Sequence, residues 1–331
     1  MAKPAPWDEG PNGLPPVQGE PILLSATGTI APNTGGAIPT LALANPDKRP
    51  MLMDELRFQV ALTGLPIGGI IGCELKLGEI PLTGGFVPLW CFGKAENPLQ
   101  EYFQATGTLD KGVCEYVWRL SRPLFIPGNM ALVPKFSSFP YIGKAVSVKV
   151  SFVGRQLPPM STPRIIELPY VAAYTSKQFL LDGSVQTDSS SEDQLLNQFP
   201  VPLQIERFVG RYMHLNPSGI GADGSVGLMD EIFDPGVAGV KAGLGIFDTI
   251  LGVRMTNSLG DPVVRLNTPF RHVFDALTRS WEIPHEMAPL SYYKVYLTTG
   301  SPTIAGYSTT QYGIAQVSMV GYREFDTKGA A

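Results

Sequence analysis

Histidine is the side chain best suited to metal binding and acid–base chemistry, and this 331-residue chain contains three of them: His214, His272 and His285. An enzyme made of two metal-binding barrels needs several histidine ligands and a carboxylate in each barrel. The first half of the chain has no histidine, so the sequence predicts neither such an enzyme nor a metal site. We expect His214 on a strand surface, His272 on a helix face and His285 in a turn.

Patterns for nucleophilic catalysis are equally sparse. No serine lies in the Gly-x-Ser-x-Gly turn that is typical of esterases. The cysteines Cys73, Cys91 and Cys114 are unevenly spaced and form no CxxC pair, so neither a zinc site nor a disulfide framework is predicted. We therefore expect no catalytic residue and no cofactor in this chain.

Two segments have spacings that could bind ligands. Gly219, Gly221 and Gly224 have the GxGxxG spacing of a dinucleotide-binding turn. No buried parallel strand follows them, and glycine is common nearby, so an exposed loop is predicted. The acidic segment 182–193 could bind Ca²⁺, but it lacks the alternating Asp/Asn ligands and the closing Glu of an EF-hand loop. A solvated loop is favoured there too.

Glycan chemistry is the alternative that the sequence leaves open. Trp90, Trp118 and Trp281 lie in or beside apolar segments, where they could stack on sugars but are more often core or interface anchors. Any two of the 29 acids that converge to about 5–10 Å could hydrolyse a glycosidic bond. The alternative is therefore a glycan-binding or glycan-cleaving protein on a twin-barrel scaffold.

The amino-acid composition limits the kinds of molecule that this protein is expected to bind. The net charge is −4 and the basic residues are scattered, whereas neutralising phosphates needs clustered Lys and Arg, so direct nucleic-acid binding is not expected. Charged residues make up 16%, against about 25% in a typical soluble domain, which indicates either a partner-covered exterior or Ser- and Thr-rich sheets. The first residues lack the apolar core of a signal peptide, and no run reaches the ~18 apolar residues of a membrane span. We expect synthesis in a reducing cytoplasm.

Short alternating segments predict strands along most of the chain. Val146, Val148, Val150 and Phe152 alternate with polar residues, which is the period-two pattern of a strand with one buried face. Glycine (36 residues) and proline (31 residues) punctuate the segments at the spacing expected for a sandwich or barrel. The predicted class is all-β with a few short helices.

Three segments predict those helices. Residues 189–199 begin with serines and acids that could cap a helix, and a further helical opening starts at Asn97. In 267–281, Thr268 could serve as N-cap and Pro269 as the first-turn residue. The apolar residues that would share one face of that helix are Phe270, Val273, Phe274 and Leu277.

The sequence also contains an internal repeat. "LSRPLFIP" at 120–127 recurs as "LTRSWEIP" 157 residues later, and "VSFVG" at 150–154 recurs as "VSMVG" 167 residues later. "ELRFQV" from residue 55 matches "IERFVG" at an offset of 150. The order is kept while the offset grows, as a tandem duplication with loop insertions would produce. The landmark pairs are Arg122 and Arg279, Ile126 and Ile283, Pro127 and Pro284, Val153 and Val320, and Gly154 and Gly321.

The repeat predicts two tandem domains, each large enough for the eight strands of a jelly roll. We expect a Pro-rich extended arm at 1–21 and a first jelly roll at 22–160. The second is expected at 161–326, with a Gly-rich insertion near 216–247 and a tail at 327–331.

Two tandem jelly rolls, a Pro-rich arm, sparse charge and an interior without catalytic motifs resemble the double jelly-roll major capsid proteins. That lineage includes the adenovirus hexon and the coats of tailless, membrane-containing bacteriophages, among which the chain looks most like the compact coat of the lipid-containing Flavobacterium phage. The resemblance implies a coat protein in the virion, made in the host cytoplasm, rather than an enzyme. A minor virion or vertex protein is a further alternative.

The resemblance also implies partners. These are two further copies of the chain in a homotrimer of nearly hexagonal outline, neighbouring capsomers that tile an icosahedral shell, vertex (penton) proteins and an internal lipid membrane. The 216–247 insertion would form an outward tower or a trimer contact.

Overall fold

The computed structural model describes most of the chain in twelve ranges. They are 19–30, 41–44, 47–62, 71–93, 113–138, 146–175, 179–180, 194–216, 227–230, 251–274, 280–299 and 312–328. Several sequence predictions lie outside the described residues: most of the arm, the helix opening at Asn97, the acidic segment 182–193, the glycines at 219–224 and Arg279. Of the 216–247 insertion, only 216 and 227–230 are described.

The strands before residue 160 form two antiparallel sheets. Their bounds are β1 (Glu20–Ile30), β2 (Leu43–Ala44), β3 (Met51–Leu62), β4 (Ile71–Leu77), β5 (Ile80–Pro81), β6 (Val87–Pro88), β7 (Val113–Ile126), β8 (Ala131–Ser138) and β9 (Val146–Gln156). One sheet has the order β1-β9-β3-β7, and the other has β2-β8-β4-β5, with β6 also paired to β4.

The strands after residue 160 repeat this plan. Their bounds are β10 (Ile165–Thr175), β11 (Phe179–Leu180), β12 (Gln194–Leu196), β13 (Leu203–Asn216), β14 (Gly227–Asp230), β15 (Leu251–Asn257), β16 (Pro262–Pro269), β17 (Ser280–Trp281), β18 (His285–Met287), β19 (Tyr292–Thr299) and β20 (Tyr312–Asp326). One sheet has the order β10-β20-β13-β14, with β17 and β18 also on β13. The other has β12-β19-β15-β16.

Each set of sheets is a jelly roll. In both, the first strand pairs with the last, and the chain passes repeatedly from one sheet to the other, as in a jelly roll. The predicted all-β class and the two tandem jelly rolls are confirmed by these ladders. The boundary at 160/161 stays a prediction, because β9 ends at Gln156 and β10 begins at Ile165.

Period-two alternation explains why the strands form. Every second residue of β9 from Val146 to Phe152 is buried, as predicted, and β4 alternates in the same way. The inner faces of the two sheets meet in an aromatic core, where Phe58 lies 5.0 Å from Phe92 and 6.2 Å from Phe136 between ring centroids. Burying such rings is the main stabilising contribution of a sandwich core.

The predicted helix at 267–281 is largely wrong. The helix, α1 (Phe270–Val273), has four residues, and Thr268 belongs to β16 instead of acting as its N-cap. The Thr268 hydroxyl donates to the Arg265 carbonyl, and Phe274 is already extended. Phe270 and Phe274 are buried, so the apolar spacing predicted burial correctly although it predicted too long a helix.

The predicted helix at 189–199 is wrong where the structure describes it. Residues 194–196 form β12, which pairs with β19. The next residue, Asn197, is fully buried, and its amide donates to the carbonyls of Val201 and Ala288 while its oxygen accepts from the Phe199 N–H. These side-chain bonds to the backbone compete with helix formation.

Candidate functional site

The landmark pair Gly154 and Gly321 occupies the same place in both jelly rolls. Gly154 pairs with Met53 just before the β3 bulge, and Gly321 pairs with Ile205 just before the β13 bulge. The neighbouring landmarks, Val153 and Val320, pair with the residues after each bulge.

Only glycine fits at these two positions. A Cβ at residue 154 would lie 2.0 Å from the Leu52 carbonyl oxygen, and one at residue 321 would lie 2.4 Å from the Gln204 oxygen. The repeated "VG" therefore has a physical cause, because the bulged strand brings its backbone against the neighbouring strand at this point.

The longer repeated phrase lies on the corresponding edge of each sheet. Its residues, however, do not occupy equivalent positions in the two strand pairings. Ile126 pairs with Met51, two residues before Met53, whereas it is Met287 that pairs with Leu203, two residues before Ile205. Ile283, Pro284 and Pro127 lie outside the strands, and Arg122 lies within β7. The tryptophans Trp118 and Trp281 instead share a position, since they pair with Leu56 and Phe208 at the same distance from the bulges.

A landmark that the sequence analysis missed lies in the first strand of each unit. Pro21 pairs with Arg155 and Pro169 with Tyr322, the residue after Gly154 or Gly321 in each case. Six residues later, both strands carry a threonine, Thr27 or Thr175. The two strands share only this Pro and this Thr, each at an offset of 148 residues. Two matching residues are too few to reveal the correspondence without the strand pairings.

The histidines are dispersed. His272 is exposed on α1, as predicted, and His214 lies in β13. The predicted turn position of His285 is wrong: it begins β18, and its ring nitrogens bond to the Ile283 carbonyl and, at 2.5 Å, to the Tyr293 hydroxyl. This ring packs 5.9 Å from Phe208, so it is part of the core wall.

The described cysteines and tryptophans are also structural. Cys73 and Cys91 are buried, and burial raises the pKa of Cys73 far above its ordinary value, so it does not form a thiolate nucleophile. Trp90 and Trp118 are buried, and Trp281 packs 5.7 Å from Phe208. They are core anchors rather than an open platform for sugars.

Among the described residues, no group of three or more His, Cys, Asp or Glu side chains is placed to hold a metal ion. In the same part of the chain, no helix has the length and apolar character needed to cross a membrane.

The two jelly rolls meet at a junction formed by backbone hydrogen bonds and side-chain contacts. A segment after β5 runs beside β10, where the Gly84 N–H donates to the Val171 carbonyl at 2.9 Å and the Val171 N–H donates to the Leu82 carbonyl at 3.0 Å. Thr83 and Val171 thus form a parallel bridge between the units. Gly84 allows this close approach, since a Cβ would lie 2.8 Å from the Tyr170 hydroxyl oxygen and would require that side chain to shift.

Polar side-chain bonds, one of them buried, reinforce this junction. The Trp90 indole N–H donates to the Gln316 side-chain oxygen at 2.7 Å. The Ser121 hydroxyl donates at 2.6 Å to Glu206, the bulged residue of β13, and also lies 3.3 Å from the Tyr322 hydroxyl. Because each of these bonds joins a residue of one unit to a residue of the other, they favour one relative orientation of the two jelly rolls.

Two arginines complete the contact. Arg122 pairs with Glu167 and lies over the Tyr322 ring, 5.4 Å from its centroid. Arg323 is buried, with its guanidinium 3.6 Å from the Phe199 ring centroid, and it donates to the Pro81 carbonyl of the first unit. Burial lowers the pKa of Arg323 to about 10, opposed by nearby Tyr170, so this arginine stays charged at neutral pH.

The junction covers one face of the second unit. We call it the covered face; it consists of Val171, Val209, Gln316, Ser318, Val320 and Tyr322, and all six are buried. Val171, Val209 and Val320 belong to the hydrophobic cluster of the first unit, so the core continues across the junction.

The same positions of the first unit form a surface that we call the open face. By their places in the ladders, its residues correspond in order to those of the covered face: Leu23, Arg57, Lys149, Ser151, Val153 and Arg155. Leu23 is 69% exposed, whereas its counterpart Val171 is 0% exposed. Arg57 and Lys149 are also exposed, Val153 and Arg155 are half-buried, and Ser151 is buried. Two equivalent faces, one covered and one open, are the site that this fold defines.

The chain is thus a double jelly-roll protein whose two jelly rolls are held together by backbone and side-chain contacts at the junction. No protein-family model matches it, and a search of curated proteins found no similar sequence. Among solved structures it is similar to the major capsid protein P2 of bacteriophage PM2, at 8% identity and a TM-score of 0.41, covering 91% of this chain and 97% of that one.

Two further solved structures are similar in the same way. A chain of Sulfolobus Turreted Icosahedral Virus has 10% identity and a TM-score of 0.41, covering 93% of this chain and 92% of that one. A chain of the Sputnik virophage has 10% identity and a TM-score of 0.40, covering 98% and 91%. The ladders of this chain define its fold independently of these likenesses.

Proposed function

We propose that this protein is a major capsid protein whose homotrimers, of nearly hexagonal outline, tile an icosahedral virion shell. The observation that carries the proposal is the pair of equivalent faces. Within one chain, the first jelly roll covers a face of the second, while the matching face of the first is open. A contact between unlike surfaces repeats from copy to copy and forms a closed ring when the rotation between copies is a whole fraction of a turn, as it is in a trimer.

The chemistry of the described residues supports a structural role. Among the described residues, the histidines are dispersed and the cysteines are buried, and polar side chains of both jelly rolls bond to each other across the junction. Jelly rolls are a common solution for capsid and lectin domains.

The finer parts of the proposal follow from this role. The protein would be made in the host cytoplasm and reside in the virion, with neighbouring capsomers, vertex proteins and an internal membrane as further partners. Its two jelly rolls would divide near 160/161, and it would act without a cofactor, a catalytic site or direct contact to nucleic acid.

Light scattering on the purified full chain tests the proposal. A stable species of three times the 35.7 kDa chain mass, unchanged over a wide range of concentration, is the expected result. A monomer or a dimer at every concentration would refute the proposal.

A further inference from the structure

We propose that the open face of one copy binds the second jelly roll of a neighbouring copy, at the surface around His272 and Glu282–Pro284. This inference deepens the proposed function and rests on it, because it names the contact that closes the trimer. It repeats between chains the junction that each chain makes internally.

The residues of the open face are equivalent, in the strand pairings, to residues of the second unit that are buried at the junction. The covered face presents neutral side chains, with Val171 against Leu82–Gly84 of the first unit and Gln316 against Trp90. At the position of Val171, the open face has Leu23, one of the most exposed large apolar side chains among the described residues. Leaving a leucine in water forfeits the free energy of its burial, which a docked copy would recover.

The docking surface is found by the same correspondence. Trp90 lies in a single helical turn that ends at Phe92, whose ring packs on Phe58. In the second unit, the turn α1 ends at Phe274, whose ring fills the space beside Gly210, the counterpart of Phe58 in the ladder. Trp90 precedes Phe92 by two residues, and His272 precedes Phe274 by two residues. The exposed His272 is therefore the counterpart, in the second unit, of Trp90 at the junction.

The strand edge gives a second point of contact. In the first unit, Ser121 and Arg122 contact the second unit across the junction. They lie in the part of β7 that faces the β3 bulge, between Arg119 and Leu124. In the second unit, Glu282, Ile283 and Pro284 fill that stretch, between Trp281 in β17 and His285 in β18. Glu282 and Pro284 are exposed.

The charges at the two contacts are reversed. Within a chain, a basic edge residue, Arg122, meets an acidic residue of the covered side, Glu167. Between chains, the edge would supply acidic Glu282 and the open face would supply Arg57 and Arg155, which are partly exposed ion-paired residues. Opposite polarity favours the correct partner and disfavours a wrong register between copies.

Cross-linking tests this contact most directly. The pair Lys149 and His272 corresponds to Gln316 and Trp90, which are hydrogen-bonded within the chain. In the double variant Lys149→Cys/His272→Cys, a short bis-maleimide is expected to link copies into covalent trimers. The double variant Lys149→Cys/Leu259→Cys is the matched control, since Leu259 is 85% exposed in a turn after β15.

A charge variant supplies a second readout. Leu23→Asp is expected to raise the dissociation constant of the trimer at least about tenfold in sedimentation equilibrium, whereas Leu259→Asp is expected to leave it unchanged. Because Leu23 points outward from an edge strand, the thermal melt of the variant monomer should match that of the wild-type monomer.

The outcomes separate the two proposals. A wild-type chain that never forms trimers refutes the proposed function and this contact together. A wild-type trimer that Leu23→Asp does not weaken, with no cross-link between residues 149 and 272, refutes the contact and leaves the coat function standing. Cross-linked trimers with the control unlinked support the contact.

Discussion

At the scale of single residues, the two bulge glycines are tightly constrained by the neighbouring backbone. Gly154 lies against the backbone of Leu52, and Gly321 lies against that of Gln204. Both contacts are to carbonyl groups within a ladder, which cannot move without breaking hydrogen bonds on either side. The residue type is therefore fixed by sheet geometry rather than by a ligand.

Gly154→Ala is expected to destabilise the fold by about 2 kcal/mol or more, because the added methyl overlaps the Leu52 oxygen. Urea unfolding followed by tryptophan fluorescence measures the change. Ser147→Ala, at an exposed site of the same strand, is the control and should change stability by less than about 0.5 kcal/mol. Equal stability of the two variants would contradict the bulge account.

Tyr170 supplies a test in alkaline solution. Burial raises its pKa from 10.0 to about 12, with nearby Arg323 opposing the shift. Because the folded pKa is the higher one, the stabilising contribution is complete below pH 10 and is lost as the pH rises through 12. The Tyr170→Phe variant is expected to lose less stability between pH 9 and pH 11 than the wild type, measured by urea unfolding. The control is Tyr292→Phe; if both variants follow the wild-type pH profile, the account of Tyr170 is wrong.

At the scale of secondary-structure elements, the sequence predicted the strands better than the helices. Alternation along β9 identified its buried face directly, because one hydrophobic residue in two is a local property of a strand. The helix predictions at 189–199 and 267–281 failed where the structure describes these segments, because residues 194–196 and 268–269 pair with other strands. Asn197 bonds to a loop ninety residues away, which no local pattern contains.

The repeat was likewise visible only in part. "VSFVG" and "VSMVG" matched in the correct register because the bulge fixes both a glycine and its neighbours. The phrases at 120 and 277 matched in letters but not in ladder position. The open face could not be predicted, because Leu23 and Val171 are related through strand pairing and not through a shared sequence motif.

The Asn197→Ala variant tests the turn that replaced the predicted helix. It should destabilise the fold by about 2–4 kcal/mol, because the carbonyls of Val201 and Ala288 lose their partner in a buried place. Thermal unfolding by circular dichroism measures the loss, with the exposed neighbour Gln198→Ala as control. A variant as stable as this control would show that the side-chain bonds are dispensable.

At the scale of the whole molecule, the junction makes two jelly rolls behave as one building block. Backbone bridging at Thr83 and Val171, the Trp90–Gln316 bond and buried Arg323 all oppose rotation of one unit against the other. A rigid pair with one covered and one open face is suited to a ring, since each copy then presents a fixed angle to the next. Sparse charge on the chain agrees with surfaces reserved for neighbours.

The proposed coat function requires three copies to close into a ring of six jelly rolls. Negative-stain class averages of the purified particle would show this ring. The expected result is a nearly hexagonal outline with six densities around a threefold axis, in which every neighbouring pair is packed alike. Single two-lobed particles, or a threefold particle in which the jelly rolls of different chains do not touch, would contradict it.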